Sequence, residues 1–85
     1  MMFEVIYDPQ AEHQPKKLDR SIAQRIIQKT RLVAASGRGI EALKEAAFGY
    51  KIRVGDYRVL VDLTYNPSTL WVRYVGHRST IYKKR

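Results

Sequence analysis

Residues 48–63 read as one β-hairpin, and in a chain of 85 residues that feature leaves little freedom for the rest. Phe48, Tyr50, Ile52 and Val54 alternate with Gly49, Lys51 and Arg53, and Tyr57, Val59, Val61 and Leu63 alternate with Arg58, Leu60 and Asp62. Gly55-Asp56 between them is a Gly-X pair suited to a two-residue turn. That turn pairs Val54 with Tyr57, Arg53 with Arg58, Ile52 with Val59, and Lys51 with Leu60. Side chains alternate between faces. Phe48, Tyr50, Ile52, Val54, Tyr57, Val59 and Val61 therefore share a core face, and Lys51, Arg53 and Arg58 share the other.

The rest of the chain must cover that core face. A chain this short buries roughly 60–65% of its unfolded surface, enough for one domain over residues 1–85 and one modest core. The apolar fraction of 45% supports such a core and argues against a disordered tail. With no cysteine, disulfides, thiolate zinc sites and cysteine nucleophiles are all excluded, and a reducing cytoplasm is the natural compartment. Histidine occurs only at positions 13 and 77, so no histidine-rich metal site and no cofactor are expected. No apolar run approaches the roughly 18 residues of a membrane span. The opening MMFEVIYD lacks the basic-then-apolar order of a signal peptide.

Residues 3–7 alternate as a strand, with Phe3, Val5 and Tyr7 against Glu4 and Ile6, and Pro9 stops it. Residues 11–18 look partly helical, but Pro15 breaks or restarts the helix. Asp19 is placed to cap a longer helix to about residue 35. Its apolar face is Ile22, Ile26, Ile27 and Val33, with Arg20, Arg25, Lys29 and Arg31 largely off it. Gly37 and Gly39 end that helix, and residues 40–43 read as one more helical turn. Asn66-Pro67-Ser68 marks a turn before a strand over residues 70–76, on which Trp71 and Tyr74 are expected on opposite faces, one in the core and the other free to stack on a base. The expected fold is α+β: an antiparallel-meander sheet with an N-terminal strand, and helices packed on one face.

Charge points to the partner. Sixteen Lys and Arg against eight Asp and Glu give +8, of which residues 1–48 carry +2 and residues 49–85 carry +6. A basic half with interleaved tyrosines suits a polyanion, RNA first, although a solubilising surface is the plainer alternative. Arg53 and Arg58 would oppose each other with Cβ atoms about 4.5–5.5 Å apart, where like charges destabilise a sheet. An anionic ligand explains such a cluster better than folding does, unless both side chains simply reach into solvent. A second basic knot follows the last strand, where Gly76 permits a sharp bend that could bring Arg78 and Tyr82 to the face of Arg58. His77 is either a turn residue or an acid–base group, and His13 is assigned to the surface.

Taken together, the stretch Tyr50-Lys-Ile-Arg-Val-Gly-Asp-Tyr-Arg-Val-Leu-Val and the later Val75-Gly-His-Arg-Ser-Thr-Ile-Tyr82 resemble the RelE/ParE toxin superfamily, and its RelE branch more closely. The Leu43-Lys44 pair and the segment from Ala11 through Lys17-Leu18-Asp19 also fit, so the resemblance spans nearly the whole chain. It implies a toxin of a type II toxin–antitoxin system, an endoribonuclease that cuts mRNA in the ribosomal A site and is restrained by a cognate antitoxin. Carried over, Lys51, Arg58, Arg78 and Tyr82 are the catalytic candidates, and Arg53, His77, Lys83 and Lys84 the RNA-binding ones.

Metal-free cleavage would start with attack of the ribose 2′-OH on the adjacent phosphorus, which excludes DNA as a substrate for this route. Arg58 and Arg78 would stabilise the charge gathering on the phosphoryl oxygens, and Arg53 would position phosphate. Lys51 or Tyr82 would be the base, since surrounding cations favour neutral amine and phenolate over ordinary pKa values of about 10.4 and 10; the choice between them, and the acid, stay open. Pro15, preceded by Gln14, stands where the family usually carries a leucine in its first helix, which shortens or kinks that helix and puts its antitoxin contacts in question. Ending three residues after Tyr82, the chain is expected to lack a further C-terminal helix, and with it regulation by displacement of that helix. Two alternatives are a ParE-like toxin that binds DNA gyrase without cutting, which generally lacks this basic constellation, and a non-catalytic RNA-binding domain.

Overall fold

The computed structural model describes residues 2–9, 18–43, 49–79 and 81. Along these run β1 (Glu4–Tyr7), α1 (Arg20–Ser36), β2 (Glu41–Ala42), β3 (Tyr50–Val54), β4 (Tyr57–Thr64) and β5 (Thr69–His77). The strands form one sheet in the order β1-β5-β4-β3-β2, with β1 parallel to β5 and every other pair antiparallel. The architecture is α+β, as expected. Residues 11–17 of the expected helical segment and the core position of Phe48 lie outside the described residues, while Leu18 is a non-helical bend packed against the core.

The hairpin has the register read from its turn: Val54 opposite Tyr57, Arg53 opposite Arg58, Ile52 opposite Val59, and Lys51 opposite Leu60. Gly55 has φ +57, while Asp56 is not among the positive-φ residues, the pattern of a type II′ turn with glycine first. Tyr50, Ile52, Val54, Tyr57, Val59 and Val61 all join the hydrophobic cluster beneath α1. Phe3, Val5 and Tyr7 reach the same cluster from β1, while Glu4 and Ile6 face away.

α1 covers this face with Ile22, Ile26, Thr30, Val33 and Ala34. The buried hydroxyl of Thr30 donates to the Ile26 carbonyl at 2.7 Å, which settles its polar group within the helix. Asp19 stands at the N-cap, but its side chain makes no capping hydrogen bond; only its backbone carbonyl serves, accepting from Ala23 at 2.9 Å. Gly37 closes the other end at φ +75, its N–H bonded to the Val33 carbonyl, a conformation that costs glycine least. The Phe3 N–H donates to the Ala34 carbonyl at 2.9 Å and ties β1 to the last turn of α1.

Two expectations are corrected. Residues 40–43 do not make a helical turn: Glu41–Ala42 pairs with β3, and the Leu43 N–H donates to the Gly49 carbonyl. Gly39, at φ +90, turns the chain away from the helix, and two paired residues are too few to show periodicity. Trp71 and Tyr74 do not lie on opposite faces. The β4–β5 register slips between Leu60 and Val61, with Leu60 opposite Tyr74 and Val61 opposite Val72. The slip leaves Arg73 as an extra residue in β5, so Trp71 (opposite Asp62) and Tyr74 (opposite Leu60) share the face away from α1. Neither is buried.

Candidate nucleic-acid interface

Alternation places Lys51, Arg53, Arg58, Leu60, Asp62, Trp71, Tyr74 and Gly76 on the sheet face away from α1. Arg58 is at its centre and only 8% exposed. Its Nη1 donates to the carbonyls of Gly55 (2.9 Å) and Tyr57 (2.8 Å), so the hairpin turn itself orients the guanidinium. Among the described residues no carboxylate pairs with Arg58. Arg53 is exposed and stands directly opposite it in register.

The other cations meet acids. Lys51 Nζ lies 3.9 Å from Glu41 Oε1, a pair brought together by the unforeseen β2. At that length, with both groups partly exposed, it is worth about 0–1 kcal/mol. Arg78 follows β5 and grips the hairpin turn twice: its N–H donates to the Asp56 carbonyl at 2.8 Å, and its Nε lies 3.6 Å from Asp56 Oδ1. That ion pair is well exposed and equally weak. Arg78 therefore sits at the rim of the face, beside the turn that positions Arg58.

His77 is not brought to this cluster. It pairs in register with Tyr57, one residue past the Arg58–Gly76 pair, and its ring meets Tyr57 edge-on at 5.4 Å. Alternation therefore gives it the face opposite Arg58. The Ser79 N–H donates to His77 Nδ1 at 3.1 Å, and Ser79 Oγ lies 2.8 Å from the same nitrogen. Tyr82, Lys83 and Lys84 lie outside the described residues.

Gly76 serves space rather than bending. It lies within β5, and a Cβ there would stand 3.3 Å from Ile81 Cδ1. Ile81, 1% exposed and outside the main cluster, thus occupies the position beside Arg58 that a side chain at residue 76 would fill. The sequence marks this only through the bare glycine opposite Arg58.

Sequence patterns also missed a clamp along the same face. Arg73 Nε donates to Asp62 Oδ2 and its Nη1 to Asp8 Oδ2, both at 3.0 Å, and its guanidinium lies 5.1 Å from the Trp71 ring centroid. Burial opposes the charge of Arg73, but the hydrogen bonds with Asp62 and Asp8 outweigh it and raise its pKa above the ordinary arginine value. Asp62 also accepts the Gly49 N–H at 2.8 Å, and the Trp71 indole N–H donates to Thr64 Oγ1 at 2.8 Å. β1, β4 and β5 are thereby locked together beside the cationic end.

A long helix packed on a five-stranded mixed sheet, as the described residues form it, is the RelE-like α+β fold, and the chain has that fold. The RelE toxin in the crystal structure of the RelBE2 toxin–antitoxin complex of Mycobacterium tuberculosis superposes with a TM-score of 0.81 at 22% identity, covering 92% of this chain and 100% of that one. The RelE–RelB complex from Pyrococcus horikoshii matches with a TM-score of 0.76 at 16% identity, over 94% of this chain and 99% of its own. The isolated Escherichia coli RelE toxin matches with a TM-score of 0.74 at 24% identity, over 96% and 93%. No protein-family model and no curated protein matches the chain. Among the described residues no helix is long and apolar enough to cross a membrane.

Proposed function

We propose that this chain is the toxin of a type II toxin–antitoxin system and acts as a ribosome-dependent mRNA endoribonuclease. The observation that carries this is Arg58, a guanidinium 8% exposed, aimed by two backbone carbonyls and paired with no carboxylate among the described residues, with a second arginine opposite it. Holding a charge out of water without a counter-charge costs several kcal/mol. A phosphodiester entering this face supplies the missing anion. With Nη1 committed to the turn, Nε and Nη2 are left to meet it.

In the proposed reaction the 2′-OH attacks the adjacent phosphorus and the 5′-oxygen leaves. Arg58 stabilises the charge that develops on the phosphoryl oxygens, Arg78 assists from the rim, and Arg53 holds a neighbouring phosphate. Lys51 or Tyr82 takes the 2′-OH proton. Trp71 and Tyr74, on one face after the β5 bulge, offer flat surfaces for unstacked bases. Lys83 and Lys84 add to the field that draws in RNA, and a cognate antitoxin restrains the toxin in the cytoplasm. The resemblance to RelE toxins in both motifs and fold favours this over the gyrase-binding and non-catalytic alternatives.

The test is mRNA cleavage on programmed ribosomes by the native chain, Arg58→Ala and Tyr82→Phe. Cuts in the A-site codon leaving 2′,3′-cyclic or 3′-phosphate ends are expected from the native chain, with both variants strongly impaired. Full activity in both would overturn the assignment of the site, and growth arrest with DNA breaks and intact mRNA would replace it with gyrase inhibition.

A further inference from the structure

The turn after β5 carries a side-chain brace that neither the core nor the cationic face uses. His77 is the last residue of β5 and pairs in register with Tyr57, on the face away from Arg58. From that side of the sheet its ring does not meet a phosphodiester held at Arg58, so it is neither the acid nor the base of the proposed cleavage. Arg78 and Ser79 follow as an exposed turn, and Ile81 beyond them is 1% exposed, seated against Gly76. Arg78 therefore rides on a turn anchored by strand pairing before it and by a buried side chain after it.

Within that turn the Ser79 N–H donates to His77 Nδ1 at 3.1 Å, and Ser79 Oγ lies 2.8 Å from the same nitrogen. A ring nitrogen that accepts from a backbone N–H carries the lone pair, which puts the proton of the neutral ring on Nε2. A side-chain acceptor on residue i bonded to the N–H of residue i+2 has the geometry of an Asx-turn, a role that Asn and Asp usually fill. Here a histidine fills it, with Arg78 as the residue enclosed. The Tyr57 ring meets the His77 ring edge-on at 5.4 Å and fixes the group that supplies the acceptor. On its other side the Arg78 N–H donates to the Asp56 carbonyl at 2.8 Å. The Arg78–Asp56 ion pair, at 3.6 Å and well exposed, is too weak to set the guanidinium by itself. The backbone around Arg78 is thus held by its own N–H at the hairpin turn and by the next N–H at His77.

We infer that His77 is a positioning residue, whose Nδ1 closes the turn that holds Arg78 against the hairpin and aims it at an anion on the Arg58 face. Its effect on cleavage rests on the nuclease reading; its effect on the turn rests on the geometry alone. A misplacement of about 1 Å can cost about 10²-fold in rate, so a brace of this kind acts on the chemical step. Packing against Tyr57 is the plainer role, and two substitutions separate them. His77→Phe keeps a ring beside Tyr57 and deletes the acceptor. His77→Asn deletes the ring and keeps an acceptor, Oδ1, one bond from Cγ as Nδ1 is.

Solvent exchange of backbone amides, followed by NMR on the full chain, reads the turn directly. The Arg78 and Ser79 N–H groups should exchange within about threefold of native rates in His77→Asn and at least about tenfold faster in His77→Phe. Single-turnover cleavage on programmed ribosomes reads the consequence. His77→Phe should lower the maximal rate about tenfold with little change in the half-saturating concentration, His77→Asn should stay within about threefold of native, and His77→Phe should add nothing in an Arg78→Ala background. The reverse order of the two variants would make His77 a packing residue and overturn the inference. So would native exchange at Ser79 in His77→Phe, or faster exchange there with cleavage unchanged. A raised half-saturating concentration at an unchanged maximal rate would replace it with an RNA contact. If the native chain leaves mRNA intact, the nuclease reading fails, and the exchange rates still decide whether His77 holds the turn.

Discussion

Replacing Arg58 by methionine separates folding from chemistry. Methionine keeps most of the aliphatic stem and deletes the charge. The loss is two hydrogen bonds from a charged donor, about 1.5–3 kcal/mol each when a partner stays dry. Their acceptors, the Gly55 and Tyr57 carbonyls, sit at an exposed turn where water can replace the guanidinium. The gain is relief from holding an uncompensated charge at 8% exposure, several kcal/mol. Removal of the repulsion from Arg53 adds at most about 0.8 kcal/mol in water and about 3 kcal/mol at an effective dielectric of 20, taking the charges no closer than the roughly 5 Å Cβ spacing of directly opposed residues. These terms nearly cancel, so Arg58→Met should change unfolding free energy by no more than about 1 kcal/mol while cutting the ribosomal cleavage rate by about 10²–10³. Urea unfolding followed by Trp71 fluorescence and circular dichroism reads the first quantity, single-turnover cleavage the second. Arg53→Met should stabilise the native chain by about 1 kcal/mol at low salt, and much less in the Arg58→Met background or in about 1 M salt. A destabilisation beyond about 3 kcal/mol would make Arg58 a scaffold residue, and equal effects of Arg53→Met in both backgrounds would remove the repulsion from the account.

Two further perturbations test the packing around the site. Tyr7 has a buried hydroxyl with no hydrogen-bond partner among the described residues, and burial raises its pKa against the lowering influence of Arg31. Because the folded state then holds the phenolic proton more tightly than the unfolded chain, stability should fall as pH rises above about 10; Tyr7→Phe should remove that part of the alkaline loss and leave neutral-pH stability unchanged or up to about 1 kcal/mol higher, and a clear destabilisation in thermal melts would show that the hydroxyl has a partner. Gly76→Val should displace Ile81 and cost about 1–3 kcal/mol in denaturant titrations, with cleavage lost in proportion to displacement of the tail; a neutral result would mean that Ile81 is not seated against β5.

The hairpin was legible because two independent signals agreed on one register, the Gly55-Asp56 turn and the alternation on either side of it. The opposition of Arg53 and Arg58 followed from that register alone. β5 was harder because a bulge has no residue signature: Arg73 looks like any alternating position, yet as the extra residue it moves Trp71 to the face of Tyr74. β2 is too short for any period, and the parallel pairing of β1 with β5 joins segments more than sixty residues apart through backbone bonds that no local pattern announces. Proximity in sequence puts His77 in the basic knot, but one residue along a strand is a change of face.

These longer-range features explain how a face this basic keeps an arginine that pairs with no carboxylate among the described residues. Four acids near this face are already engaged: Asp62 and Asp8 hold Arg73, Glu41 lies against Lys51, and Asp56 meets Arg78 at the turn. Each was invisible as a partner in the sequence, because each pairing depends on the bulge, on β2 or on the fold-back of the chain after β5. Their combined effect is to draw the negative charges to the periphery and leave Arg58, with Arg53 opposite, as the place on this face where an incoming anion gains most. A core that needed only stability would have put one of those carboxylates beside Arg58, where an ion pair would offset the cost of holding its charge at 8% exposure.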